Sequence, residues 1–215
     1  MKIGIIGATG RAGRAIHALA AERGHLPTAI VRSRQRADEI LGAGADVVVR
    51  DALGLTAADL APYDVVVDAF GTAPDEAHRQ VELAHRLVEQ AATLGPDAPR
   101  LLFILGAGSL RAGEDRHLYV EDIRKMPGSS AWVNIPVQQL AELEFLRAAE
   151  IDWVGISPSA VFEPGEATEP VLGADDLLVD EDGVSRVTTG TMAVAVLDEI
   201  EAPAHRNLRF TVRNG

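Results

Sequence analysis

The chain has 215 residues, 47% of them hydrophobic but only 4% aromatic, with a formal net charge of −12 and no cysteine. Its length fits one α/β domain, with a core of Val, Leu, Ile and Ala of the kind a helix-covered parallel sheet needs. The acidic balance argues against nucleic acid as a partner, and the lack of Cys excludes disulfides, thiolate nucleophiles, iron–sulfur clusters and thiolate zinc sites.

Lys2–Ile6 reads as a strand running into a glycine-rich turn. A helix is predicted over 14–23, with Ile16, Leu19 and Ala20 on one face and Gly24 closing it. A strand at 28–31, a short helix at 35–41 ending at Gly42, and strands at 46–49 and 64–68 follow. Residues 76–94 predict a long helix with Val81, Ala84, Val88, Ala91 and Ala92 as its apolar stripe, stopped by Gly95-Pro96. The almost wholly apolar run at 100–105 predicts a central fifth strand. A helix over 137–149 and a sixth strand at 152–156 come next. This alternation implies βαβ units, a parallel sheet and right-handed crossovers.

Beyond Ser157, prolines and glycines break the pattern. Runs at 177–179 and 184–188 flank Asp182-Gly183, a hairpin signal, and a helix over 191–201 and a strand over 208–212 complete the chain. The expected fold is a single Rossmann-type, doubly wound parallel sheet flanked by helices over residues 1–215. Segment 157–190 is expected to form a small C-terminal cap on the substrate side. Segment 111–134 is either a flap over the cleft or an ordinary surface insertion. Met1-Lys2 leads straight into a strand, and no apolar run approaches the ~20 residues of a membrane span. The protein is therefore expected to be cytoplasmic and to have no membrane partner.

The most informative segment is Gly7-Ala8-Thr9-Gly10-Arg11-Ala12-Gly13. Gly7 suits the tight turn out of the strand, Gly10 a close backbone approach to a pyrophosphate, and Gly13 tight helix–strand packing. The N–H groups of the following helix start face the phosphates. The same glycines would serve a plain strand-to-helix turn, but their place at the first βα junction favours a dinucleotide. Residues Gly7, Thr9, Gly10, Arg11, Ala12 and Gly13 are therefore expected at the cofactor.

NAD sites usually place Asp or Glu ~20 residues further on, at the tip of the second strand. Here that tip reads Val31-Arg32-Ser33-Arg34-Gln35-Arg36, without an acid. A guanidinium suits a ribose 2′-phosphate through paired charge-assisted hydrogen bonds. Arg32 and Arg36, with Ser33 as a further donor, point to NADP rather than NAD. The bland reading is a solvated basic helix start.

With the glycine turn and the strand-end arginines, the chain resembles the atypical short-chain dehydrogenases. Within them it is similar to the NAD(P)H-binding, NmrA-like proteins often labelled NADH-flavin reductases, and more distantly to biliverdin-IXβ/flavin reductase. Further matching pieces are Asp51-Ala52, Asp68-Ala69-Phe70-Gly71, Gly106-Ala107-Gly108-Ser109, Ser157-Pro158-Ser159-Ala160-Val161-Phe162-Glu163-Pro164-Gly165, and Ser185-Arg186-Val187-Thr188. The resemblance implies Asp51 and Ala52 at the adenine edge and Phe70, Gly71 and Thr72 along the ribose and pyrophosphate. It puts Gly108 and Ser109 on the nicotinamide side, with Pro158, Ser159, Ala160 and Phe162 as the nicotinamide wall. Homodimers are common in such folds, so a homodimer is an expectation.

The pattern fails at one point. Short-chain dehydrogenases use Tyr-x-x-x-Lys, the Lys lowering the Tyr pKa. Tyr119 has no Lys four residues on, and the helix at 137–149 offers Gln138 and Gln139 where that Lys falls. Alcohol–ketone chemistry is thus disfavoured. A flavin (FMN or FAD as substrate), quinone or biliverdin-like acceptor needs less proton relay, because conjugation spreads the arriving charge. Ser109 is the one catalytic candidate, against a local capping role. Two alternatives stand: a non-catalytic NADP(H) sensor of the NmrA type, and an epimerase or dehydratase acting on a nucleotide sugar, for which the chain is short. No metal site is expected: His78 and His85 read as solvated helix positions and the acidic run at 180–182 as a turn. Trp132 and Trp153 are expected to be packing residues.

Overall fold

The computed structural model describes all residues 1–215. Strands β1 (Lys2–Ile6), β2 (Leu26–Val31), β3 (Asp46–Val49), β4 (Val65–Asp68), β5 (Arg100–Ile104) and β8 (Trp153–Pro158) are joined by parallel pairing. With β10 (Pro170–Gly173) and β12 (Leu208–Asn214) they form one sheet of order β10-β12-β8-β5-β4-β1-β2-β3. Only β10 runs antiparallel to its neighbour. The order reverses between β1 and β4, the topological switch point at which open α/β sheets bind ligands beyond their strand ends.

Alternation along each strand divides the core in two. Ile3, Ile5, Val65, Val67, Leu102, Val154 and Ile156 pack under α1 (Arg11–Glu22), α2 (Arg34–Leu41) and α7 (Thr189–Glu201). Ile6, Val66, Leu101, Phe103 and Trp153 pack on the other face. That face is covered by α3 (Ala57–Leu60), α4 (His78–Leu94) and α6 (Asn134–Arg147). The Rossmann-type doubly wound sheet is therefore observed, with β5 central as its apolar run implied. No helix is long and apolar enough to cross a membrane.

Four expectations are corrected. Helix α1 begins at Arg11 rather than at 14, because Gly13 sits inside its first turn; close packing against the turn offsets the usual cost of a helical glycine. The buried face of α4 is Gln80, Leu83, Ala84, Leu87 and Ala91, rotated from the Val81–Val88 stripe because one core position is polar. The Asp182-Gly183 hairpin does not form. The Asp180 carboxylate accepts from the N–H groups of Asp182 (3.0 Å) and Val184 (2.8 Å) and closes the turn locally. The flanking β11 (Arg186–Thr188) instead pairs in parallel with β9 (Val161–Glu163). Trp153 is fully buried, but Trp132 is 40% exposed and is no core residue. Segment 111–134 carries the short ribbon of β6 (Arg111–Ala112) and β7 (His117–Leu118), followed by α5 (Tyr119–Lys125).

Candidate dinucleotide and acceptor cleft

One cleft of about 1380 Å³ opens at the C-terminal strand ends. That exceeds the ~300–1,000 Å³ of a pocket for one drug-sized ligand and leaves room for two molecules.

Its floor is built by the glycine turn. Gly7 has φ +73, and a Cβ there would stand 2.5 Å from the Ala69 carbonyl oxygen. The Gly10 N–H donates to the Gly7 carbonyl at 2.8 Å, closing the turn. A Cβ on Gly13 would overlap the Gly7 carbonyl oxygen and stand 2.8 Å from the Ala8 Cα. Helix α1 has no side-chain N-cap, and its first backbone bond runs from the Arg14 N–H to the Gly10 carbonyl. The N–H groups of residues 11–13 are thus left without backbone partners, as at any helix start. Thr9, Gly10, Arg11 and Ala12 line the cleft. A compact turn with free N–H donors fits an anionic diphosphate. Gly13 does not line the cleft; it acts one layer below, holding the helix start against the strand. The Arg11 guanidinium crosses the cleft to the Phe162 carbonyl at 2.7 Å.

At one end, Arg32, Ser33 and Arg36 line the wall with Arg50 and Ala52. The Ser33 Oγ accepts from the Arg36 N–H at 3.3 Å, capping α2. Arg34 turns away to the Val47 carbonyl at 2.8 Å, and Arg50 reaches Asp59 at 3.3 Å. Arg32 and Arg36 are exposed and pair with no carboxylate. Asp51, expected at the adenine edge, does not line the cleft. Its carboxylate accepts from the Leu53 N–H at 3.1 Å and so caps the next turn.

Phe70, Gly71 and Thr72 line the middle, where the Phe70 N–H donates to the Asp68 carboxylate at 2.9 Å. At the far end, Gly108, Pro158, Ser159, Ala160 and Phe162 line the cleft. Ser109 does not. It is 4% exposed, and its Oγ donates to the Gly106 carbonyl at 3.3 Å. Buried Arg209 donates to the Ser109 Oγ (3.5 Å), the Ser109 carbonyl (3.4 Å) and the Ser157 Oγ (3.3 Å), and pairs with Asp175. Ser109 is thus part of a clamp behind the cleft. Ser109→Ala is expected to leave coenzyme binding and any turnover within about twofold, at a stability cost of ~1 kcal/mol, read by parallel binding and thermal-melt assays.

The structure adds residues that sequence reasoning missed. Tyr119, Ile123, Met126, Trp132, Ile135 and Gln139 wall the far end. They come from the 111–134 segment and the start of α6, where no local pattern signals a ligand. Burial, and then the Asp122 charge, push the Tyr119 phenol above its usual range, opposite to what a Lys partner would do. Lys125, the nearest Lys in sequence, pairs with Asp122 at 3.3 Å. The charged side chains lining the cleft are Arg11, Arg32, Arg36 and Arg50; of these Arg11 reaches the far end, at the Phe162 carbonyl, and no carboxylate lines the partly aromatic surface there.

A doubly wound sheet with an uncapped glycine turn at its switch point defines a dinucleotide-binding α/β protein. The chain belongs to the NAD(P)H-binding family, whose profile matches residues 7–200. It is 39% identical over 219 residues to YwnB of Bacillus subtilis, covering 99% of this chain and 98% of YwnB. A crystal structure from Lactobacillus casei matches with TM-score 0.91 and 41% identity over the whole of both chains. That of a candidate NADH-flavin reductase from Streptococcus pneumoniae matches with TM-score 0.87 and 29% identity, again over both whole chains.

Proposed function

We propose that the protein is an NADPH-dependent reductase of a flat, conjugated, uncharged ring such as a quinone or the isoalloxazine of a flavin. The observation that carries this reading is the charge distribution of the cleft: arginines at the glycine-turn end, and no ionisable acid–base pair at the other. The free N–H groups at the start of α1 would hold the diphosphate, and Arg32 and Arg36 the 2′-phosphate. NADPH, when bound, supplies a hydride. This chain's contribution is orientation and exclusion of water. Phe162 and Pro158 flank one side of the far end, and Trp132, Met126 and Tyr119 offer apolar and aromatic surface for a ring. No residue there matches the Tyr–Lys relay, which suits an acceptor that delocalises charge. The name of the Streptococcus pneumoniae relative assigns flavin reduction to that protein and supports a flavin as one acceptor here.

The test is oxidation of NADPH and NADH with menadione, riboflavin and FMN, alongside direct coenzyme titration. Turnover with at least one acceptor and a preference for NADPH are expected. Tight NADPH binding without turnover across the panel overturns the enzymatic reading in favour of an NADP(H) sensor, which the missing Tyr–Lys pair also suits. Trp132→Ala is expected to raise the acceptor KM roughly 3–10-fold through loss of ring packing, with the NADPH Kd unchanged. Equal effects on both ligands would remove Trp132 from the acceptor end.

A further inference from the structure

Helix α6 starts at the far end of the cleft and runs from there into the core. Helical spacing puts Ile135, Pro136 and Gln139 on one face, and all three line the cleft. The same face continues as Glu142, Leu143 and Leu146, which are buried. The Asn134 amide pins the helix start by donating to the Pro74 carbonyl at 2.7 Å. Gly106, just beyond β5, lies directly against Gln139. A Cβ on Gly106 would stand 2.8 Å from the Gln139 Cδ and would overlap its Oε1. The three atoms nearest to that Cβ all belong to Gln139. Gly106 has φ −117 and ψ 163, extended backbone that any residue adopts. Glycine at this position therefore makes room for one carboxamide and serves no backbone need.

Neighbouring polar side chains in the cleft wall are already engaged. The Gln80 amide donates to the Thr72 hydroxyl at 3.4 Å, and the Ser159 Oγ donates to the Val212 carbonyl at 2.9 Å. The Gln139 carboxamide is half-buried and bonds to no other group of the protein. It faces the same space as the aromatic and apolar surface of Tyr119, Met126 and Trp132. The Tyr119 hydroxyl and the Trp132 N–H are single polar points on rings. The carboxamide carries a donor and an acceptor side by side, and half a turn of the amide exchanges them. A polar group enclosed in a ligand cleft and left uncommitted by the protein is suited to fixing a ligand's orientation.

We propose that Gln139, seated on Gly106, recognises an acceptor ring that carries a cyclic imide edge, and so selects flavins over quinones. The pyrimidine ring of a flavin places an N–H between two carbonyls. A carboxamide meets that edge with two parallel hydrogen bonds, its NH2 donating to a ring carbonyl and its oxygen accepting the ring N–H. A quinone offers carbonyls only, so at most one of the two bonds forms and the other amide group is left without a partner. A site built to hydrogen-bond a ligand N–H rejects the analogue lacking it, because the site's own polar group is then enclosed and unpaired. The inference rests on the acceptor reading above and narrows it. It assigns Gln139 a binding contact only; the hydride still comes from NADPH, and no bond to Gln139 forms or breaks.

The test compares lumiflavin with 3-methyllumiflavin, in which a methyl group replaces the imide hydrogen. Flavin fluorescence quenching reads both Kd values on the full chain saturated with NADP+, which cannot reduce the flavin. Wild type is expected to bind lumiflavin roughly 5–50-fold more tightly, the loss of two neutral hydrogen bonds. This comparison needs no mutation. Gln139→Met keeps an unbranched side chain of similar length without the amide and is expected to bring the ratio close to one. Gly106→Ala, whose methyl displaces the amide, is expected to do the same, and the double variant to lose no more than either. Menadione reduction, which involves no imide, is expected to fall less in Gln139→Met than lumiflavin reduction. Equal binding of the two flavins by wild type overturns the proposal, as does a ratio that survives in Gln139→Met. Loss of NADPH affinity in Gln139→Met with the flavin ratio intact also overturns it and assigns the amide to the carboxamide of the nicotinamide. If neither flavin binds while menadione is reduced, the proposal falls and the reductase reading stands. If no acceptor binds or reacts, both fall.

Discussion

Replacing Arg32 and Arg36 together by Gln is expected to weaken NADPH binding by roughly 10–100-fold, while NADH is expected to change less than about threefold. Both guanidinium groups stand free of carboxylates at the end of the cleft nearest β2. A hydrogen bond to a charged group contributes about 1.5–3 kcal/mol, discounted here because both side chains are exposed to solvent. The ratio of the two Kd values, titrated fluorimetrically, reads the effect, and added salt should shrink it. Equal weakening of both coenzymes would mean that these arginines attract anions generally and do not read a 2′-phosphate. Arg50 lies on the same wall but is shared with Asp59 at 3.3 Å, so its single replacement is expected to matter less.

Gly13→Ala is the second large effect, and it acts through packing. Gly13 has no left-handed backbone, so the cost is wholly steric. Its new methyl would meet the Gly7 carbonyl and the Ala8 Cα, which are backbone atoms with no rotamer to yield. Overpacking of this kind costs ~2–3 kcal/mol, a fall in Tm of roughly 4–12 °C for a chain of this size. Coenzyme binding should fall with it, because the helix start that offers the free N–H groups is pushed off the turn. Gly54 is a control: a Cβ there meets nothing within 4 Å, so Gly54→Ala should leave both Tm and Kd almost unchanged. A Gly13→Ala melt matching the control would show that the turn shifts cheaply and that close packing is not why glycine stands there.

The clamp around Arg209 joins segments of the second half of the chain that are distant in sequence. The guanidinium reaches Ser109 after β5, Ser157 on β8 and Asp175 beyond β10. Ser109 and Ser157 adjoin Gly108 and Pro158, which line the far end of the cleft. Gly108 packs under Pro136, where a Cβ would stand 2.7 Å from the proline ring, and this seats α6 against the same loop. The wall of the far end is therefore held by contacts between residues distant in sequence, whereas most of the glycine-turn end is built within residues 7–36.

That division explains what was legible without coordinates. Local chemistry determined the glycine-turn end of the cleft. Glycines at 7, 10 and 13 have steric consequences within one turn, a strand tip lacking an acid announces its charge directly, and period-two and period-3.6 apolar patterns place strands and helices. Where a role depended on a distant partner, the linear pattern misled or was silent. Ser109 looked like a cleft residue until Arg209 claimed it, and Asp51 until it capped its own turn. The Asp182-Gly183 signal was real as a turn, yet β11 found its partner in β9. Gln80 and Glu142 are polar residues at core positions, which a hydrophobic pattern can only treat as misplaced. Tyr119, Trp132 and Gln139 reach the cleft because α5 and α6 fold back over the β5 end. Tertiary structure decided these points because a side chain's surroundings, unlike its backbone propensity, are set by residues that only the completed sheet brings near.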